Sequence, residues 1–278
     1  MTPPAGPLDA DGVRARLAGQ QWTAHNLELA PGVWTLPGQP GFLETNANLQ
    51  SILGVLRTVF PAGLAGRRVA DLGCLEGGYS LALARRGAEV VGVEARPENL
   101  DKCELVRAQS PGLRLEFAGA DVKDFTAARF GSFDVVLALG ILYHLDDPVS
   151  WIRQVAEATR TLLLLDTHFA PLGDLAGLDP RLSGLGGLET RTEGGESWSG
   201  RWFHEYETRE QRDGMPWASW SNPRSFWLTK QSLLSAVHTA GFGAVWEVHD
   251  AWTMIYDRLQ GAYPRCRVAA LRPGGAWS

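Results

Sequence analysis

Cysteine is scarce in this 278-residue chain: Cys74, Cys103 and Cys266 are too few and too scattered for a disulfide framework or a cysteine-rich zinc site. Reduced thiols are expected, and Cys74, although inside a glycine-rich stretch, reads as a small apolar residue packed under a turn rather than as a nucleophile. No apolar run approaches the ~18 residues that cross a membrane. The opening MTPPAGPLDADGVRARL has no apolar core of signal-peptide type, so a cytoplasmic location and no membrane partner are the expectation. Lysine supplies 3 of the 26 basic residues, and the formal charge of −5 argues against a generalised nucleic-acid footprint. There is no internal repeat and no low-complexity tail. What remains is an ordinary globular composition, 45% hydrophobic and 21% charged, long enough for one large domain with additions.

Residues 67–169 alternate strand and helix signals across short connections, the pattern of a parallel sheet covered by helices on both faces. RRVADLG, EVVGVEA, LRLEFAGAD, FDVVLALG and TRTLLLLDTHF read as its five strands, the fourth apolar after Asp134 as a doubly buried strand should be. YSLALARRG, a helix opened by Pro97, and a helix opened by Asp146-Asp147-Pro148 lie between them. Residues 1–66 hold one expected helix, NLQSILGVLRTVF, behind a Pro/Gly-rich segment. Residues 170–225 lack a clean period and read as a loop-like lid, packed because Trp198, Trp202, Phe203, Tyr206, Trp217 and Trp220 are costly to leave in water. In 226–278 Thr229 caps a helix, and GAVWEVHD and RCRVAAL read as an antiparallel strand pair.

The stretch VADLGCLEGGYS runs from strand through glycine-rich turn to helix, so a ligand at the turn is expected. A dinucleotide site needs G-x-G-x-x-G; Gly73 and Gly78 fit the outer positions, but Leu75 takes the middle one, where a pyrophosphate would meet a side chain. Asp71, before the first glycine, repels phosphate and suits a cationic ligand. The Gly-Lys-Ser/Thr ending of a P-loop is missing. Singly, these residues have plain structural readings as turns, caps and surface acids. Jointly, Asp71, Glu94 and Asp121 each end their own strand, on the edge where open α/β sheets bind ligands.

D-L-G-C-L-E-G-G, with Glu94 and Asp121 ending the next two strands, resembles the class I S-adenosylmethionine-dependent methyltransferases over roughly residues 67–169 and the terminal strand pair. The resemblance implies a doubly wound, mostly parallel, seven-stranded Rossmann-like α/β sheet with a terminal antiparallel strand, and S-adenosyl-L-methionine as cofactor. It places Asp71, Gly73, Cys74, Leu75 and Gly77 along the methionine and ribose part of the cofactor. Glu94, beside Ala95, accepts from the ribose hydroxyls; Asp121 lies near the adenine amino group, with Val122 on the ring. Leu139 and Gly140, in LALGILYHL, flank the methionine moiety. Leu75 departs from the family's commonest G-x-G-x-G turn. A looser likeness, carried by LYHLDDP and SFWLTKQSLLSAVHTAGF, is to the branch that includes tRNA wobble-uridine carboxymethyl-transferring enzymes.

Methyl transfer from a sulfonium needs alignment and a dry site rather than an enzyme nucleophile, but an acceptor hydroxyl or protonated amine must lose a proton. His144 is the first candidate base. His168, with Asp166 on the same side of its strand, is the second, and His204, next to Glu205, the third. These residues also have the types of a metal site, but without a short H-x-x-x-H spacing three loops would have to converge, and none is assigned. Arginines interleaved with the lid aromatics would also suit RNA. Glutamates at 189, 193, 196, 205, 207 and 210 dilute them, which favours a small aromatic or glycosylated acceptor. The competing classes are a nicotinamide-dependent oxidoreductase, disfavoured by Leu75 and Asp71, and a non-catalytic cofactor-binding module.

Overall fold

Asp9 starts the first helix, α1 (Ala10–Ala18), by accepting the Gly12 N–H at 2.8 Å. This helix was absent from the sequence reading because Val13 alone of its residues is buried, so no apolar stripe marks it. The computed structural model describes residues 6–39, 42–173, 179–193, 195–215, 217–255 and 264–274. Its chain divides into two compact units, one on residues 1–122 and one on 123–276.

In the first unit a short antiparallel ribbon, β1 (Glu28–Ala30) with β2 (Val33–Trp34), precedes α2 (Ala47–Val59). Asn46 caps α2 through the Asn48 and Leu49 N–H groups, and the helix falls where the apolar spacing put it. Then follow β3 (Arg68–Leu72), α3 (Gly78–Ala84), β4 (Glu89–Glu94), α4 (Pro97–Ala108) and β5 (Leu115–Gly119). The three strands pair in parallel, with Glu94 opposite Gly119, so their carboxyl ends lie side by side. Gly92 permits the crowding beneath them: a Cβ there would sit 2.5 Å from the Phe117 ring.

In the second unit α5 (Ala127–Phe130) leads to β6 (Phe133–Leu139), α6 (Pro148–Ala158) and β7 (Thr159–His168). β6 and β7 pair in parallel, and Val135–Ala138 and Leu162–Leu165 are fully buried, which is why both read as unbroken apolar runs. Asp147 caps α6 through Ser150 N–H, ahead of Pro148 at the first helical position.

The expected loop-like lid is instead largely a three-stranded antiparallel sheet: β8 (Leu185–Glu193), β9 (Glu196–His204) and, after the short α7 (Arg209–Asp213), β10 (Arg224–Leu228). Periodicity missed it because β8 is exposed from Gly186 to Thr192, so neither face alternates. Hydroxyl pairs across β8 and β9 (Thr190 with Ser199, Thr192 with Ser197, both 3.0 Å) replace apolar contacts. Burial of the aromatics is uneven: Trp198 is 3% exposed, whereas Trp217 is 58% exposed, against the expectation that all pack.

The unit closes with α8 (Lys230–Thr239), capped by Thr229, and β11 (Ala244–Glu247), which pairs antiparallel with β12 (Arg265–Leu271) as expected. β12 also runs antiparallel to β7, placing Arg265 opposite His168 and Arg267 opposite Asp166. Among the described residues one seven-stranded sheet has the order β11-β12-β7-β6-β3-β4-β5, the doubly wound arrangement expected. No helix among them is long and apolar enough to cross a membrane.

Candidate active site

The glycine-rich turn of the first unit is built by backbone conformation. Gly73 and Gly77 have φ of +66° and +73°, and Leu75 between them has φ of +54°, the left-handed region that disfavours a side chain. Leu75 thus adopts a conformation that glycine tolerates and a side chain disfavours. Two contacts hold it there. Its N–H donates to Glu94 Oε2 at 3.0 Å, and its carbonyl accepts from the Cys103 thiol at 3.1 Å. Gly73 and Cys74 N–H groups donate to the Val93 carbonyl, pinning the turn to the end of β4. Gly77 cannot carry a Cβ, which would fall 2.7 Å from the Phe117 ring.

Glu94 is 6% exposed at the end of β4. Its Oε1 accepts the Arg96 N–H at 2.8 Å and its Oε2 the Leu75 N–H. Burial raises its pKa, opposed by these backbone donors and by the Arg96 charge. A carboxylate offers about four acceptor sites, so acceptor capacity remains beyond the backbone donors of Leu75, Ala95 and Arg96. Asp71, the penultimate residue of β3, is 3% exposed; Ser80 Oγ donates to its Oδ2 at 2.6 Å, and burial pushes its pKa up to about 6. Cys74 is buried with its sulfur 3.9 Å from that of Cys103, and burial drives its thiol well above the usual range, which suits packing and not nucleophilic attack. Ala95 is half-buried next to Glu94, and Asp121 and Val122, also half-buried, follow β5, where Ala120 N–H donates to the Glu94 carbonyl.

A residue the sequence reading passed over carries much of this construction. Glu76, fully buried in the turn, accepts the N–H groups of Thr23, Ala24 and His25 at 2.7, 3.1 and 3.0 Å, and Lys102 Nζ at 3.4 Å. It fixes residues 23–25 against the turn. The His25 ring accepts the Gly78 N–H at 3.2 Å, and a Cβ on Gly78 would lie 2.5 Å from that ring. Burial lowers the His25 pKa to about 4, partly offset by Glu76. The charged residue in an otherwise small, apolar turn was the signal; its backbone partners, some fifty positions away, leave no trace in a sequence pattern.

In the second unit, β6 ends at half-buried Leu139 and turns at Gly140 (φ +80°), whose N–H donates to the Asp166 carbonyl at 2.8 Å. The following 3-10 turn, Leu142–His144, carries the first candidate base. His144 Nδ1 lies 2.7 Å from Glu205 Oε1, the two side chains being 17% and 4% exposed. With a carboxylate as acceptor, Nδ1 carries the proton and Nε2 keeps its lone pair.

His168 lies nearby, with the Tyr143 ring 4.2 Å from that of His144 and 4.6 Å from that of His168. It stacks on Trp227 at 4.8 Å and donates from Nδ1 to the Pro264 carbonyl at 3.1 Å. Burial, then the Arg265 charge, lowers its pKa to about 3, a poor match for a base at neutral pH. Asp166, expected to orient His168, is instead bonded by Arg265 (2.6 Å) and Arg267 (2.7 Å); burial would raise its pKa, but the two guanidinium charges bring it below the usual value. His204 is exposed at the end of β9, and its neighbour Glu205 is the residue that joins the cluster. Among the described residues no group of three or more His, Cys, Asp or Glu is disposed to hold a metal ion.

With this geometry in hand, residues 70–162 match the family described as a methyltransferase domain. The match covers a third of the chain, from β3 to β7. Two curated relatives are ubiquinone biosynthesis O-methyltransferases. That of Aromatoleum aromaticum is 35% identical over 99 residues, covering 36% of this chain and 42% of the relative. That of Psychrobacter arcticus is 31% identical over 144 residues, covering 49% and 52%. The chain thus spans about half the length, or less, of these relatives. Among solved structures, the N-terminal domain of EvdMO1, crystallised in the presence of SAH and D-fucose, superposes with a TM-score of 0.68 at 24% identity, covering 96% of this chain and 98% of that one. At that identity the likeness establishes the fold.

Proposed function

We propose that this protein is an S-adenosylmethionine-dependent methyltransferase acting on a hydroxyl of a small molecule. The observation that carries the reading is Glu94: a buried carboxylate at a strand end, bonded to the amide of a left-handed Leu75, with acceptor capacity left for a ligand hydroxyl. The donor set fits the cofactor. Carboxylates suit ribose hydroxyls and a cationic sulfur, and a turn with a side chain at its centre does not suit a pyrophosphate. When bound, the cofactor supplies a methyl group on an electrophilic sulfonium.

The residues of the chain supply the rest. Glu94 holds and orients the ribose. The Gly73–Gly77 turn, locked to Val93, presents backbone at close approach. Asp71 favours a positively charged ligand over a neutral or anionic one. His144 Nε2, free of the proton held at Nδ1, takes the hydroxyl proton of the acceptor as the new bond forms, and Glu205 stabilises the resulting charge on the ring. Tyr143 lies against the His144 ring and His168 against Tyr143, which puts aromatic surface beside the base. The names of the relatives, O-methyltransferases, support a hydroxyl acceptor; the D-fucose neighbour adds sugars to the phenols worth trying.

The test is formation of S-adenosylhomocysteine by the purified protein across a panel of phenols and deoxysugars, for wild type and His144→Ala. We expect turnover with at least one hydroxyl acceptor and a loss of about 10²–10⁴-fold in the variant, the usual range for a general base. Equal turnover by both proteins would remove His144 from the mechanism.

A further inference from the structure

The 3-10 turn that carries His144 is held by one neighbouring segment at three successive backbone carbonyls, those of Tyr143, His144 and the following Leu145. Tyr143 O accepts from Trp227 Nε1, His144 O from Asn222 Nδ2 and Leu145 O from Phe226 N–H, each at 2.8 Å. The ring is held from the same side. Glu205 receives Ser225 Oγ on Oε1 at 3.2 Å and Ser219 N–H on Oε2 at 3.2 Å, while its Oε1 faces His144 Nδ1 at 2.7 Å. All of these partners belong to β10 or to the connection between β9 and β10. Fixing three successive carbonyls and a ring nitrogen determines the position of a histidine far more tightly than packing requires, as expected where a lone pair must be aimed.

We infer that Glu205 is the positioning residue for His144, setting its tautomer and ring direction, and that the antiparallel β8–β10 sheet serves to deliver this carboxylate. The inference rests on the proposed function only for its catalytic consequence; the tautomer is a property of the chain alone. A buried acid on Nδ1 leaves Nε2 as the acceptor. An amide at position 205 reverses this, because the Ser219 N–H holds the amide oxygen and the amide NH₂ then faces Nδ1.

The experiment uses the full-length protein labelled with 15N-histidine, His144 being assigned by the signal missing from His144→Asn. Long-range 1H–15N spectra at pH 8 should give a single tautomer protonated at Nδ1 in wild type and its inversion, Nε2 protonated, in Glu205→Gln. His168, which donates from Nδ1 to Pro264, should keep its signal in both and so reports that the unit is folded. Ser225→Ala, which leaves the carboxylate in place, should keep the wild-type tautomer. With an acceptor in hand, Glu205→Gln should lower kcat by about 10²–10⁴-fold and leave KM for the acceptor within a few-fold. The same tautomer in wild type and Glu205→Gln, or mixed tautomers in wild type, overturns the inference. An inverted tautomer with undiminished kcat instead overturns His144 as the base.

Discussion

Replacing Glu76 tests how the first unit is held together. In Glu76→Ala the N–H groups of Thr23, Ala24 and His25 lose their shared acceptor, and Lys102, 7% exposed, loses its partner carboxylate. A buried donor left unpaired costs about 1–3 kcal/mol, so three rigidly held donors would sum to roughly 3–9 kcal/mol. The segment can relieve this by lifting into water, which limits the loss to the cost of undocking it. A total near 3–5 kcal/mol, the range for breaking a buried ion pair, is expected. Urea unfolding monitored by tryptophan fluorescence measures it, Trp22 being 6% exposed beside the segment. Amide exchange should speed up at residues 23–25 before any other part of the unit. A destabilisation below 1 kcal/mol with unchanged exchange at those three amides would refute the view that Glu76 fastens the segment to the turn.

Leu75→Gly should leave stability unchanged or raise it by about 1 kcal/mol, since glycine relieves the left-handed strain, whereas Leu75→Val should lower it by about 1–2 kcal/mol; chemical unfolding of both variants decides. Stability should also depend on pH with two opposed contributions. His25 and His168, lowered to about 4 and about 3, bind protons more readily when unfolded, so their contribution is lost as pH falls from 6.5 through those values. Asp71, raised to about 6, works the other way: the folded state is penalised as pH rises from 3.8 to 6, by about 3 kcal/mol once the shift is complete. Asp71→Asn should therefore be more stable than wild type at pH 7 and equal to it near pH 3.5, measured by thermal unfolding across that range.

The central sheet was legible because its strands are short apolar runs between helices with clear caps and prolines, and Glu94 was legible as one of three acids at neighbouring strand ends. Other features left no comparable mark. β8 is exposed from Gly186 to Thr192, so its Gly, Thr and Glu residues look like loop. The left-handed conformation of Leu75 is invisible in the residue name. Glu76 acts on backbone amides, which every residue has. The pairing of His144 with Glu205 spans 61 positions and exists only once the β8–β10 sheet has folded; both residues were candidates, but nothing in their spacing joined them. His168, placed by strand alternation beside Asp166, proved to sit on Trp227 and the Pro264 carbonyl, because Arg265 and Arg267 of an antiparallel neighbour engage the acid.

The claim on which the account turns is that Glu94 and its turn receive a sulfonium nucleoside and not a dinucleotide. Isothermal titration of wild type and Glu94→Ala with S-adenosylmethionine and with NAD tests it directly. Saturable S-adenosylmethionine binding is expected for wild type, weakened at least about tenfold in the variant by loss of charge-assisted hydrogen bonds to the ribose, with no heat from NAD. Saturable NAD binding without S-adenosylmethionine binding, or the same S-adenosylmethionine affinity in both proteins, would contradict it.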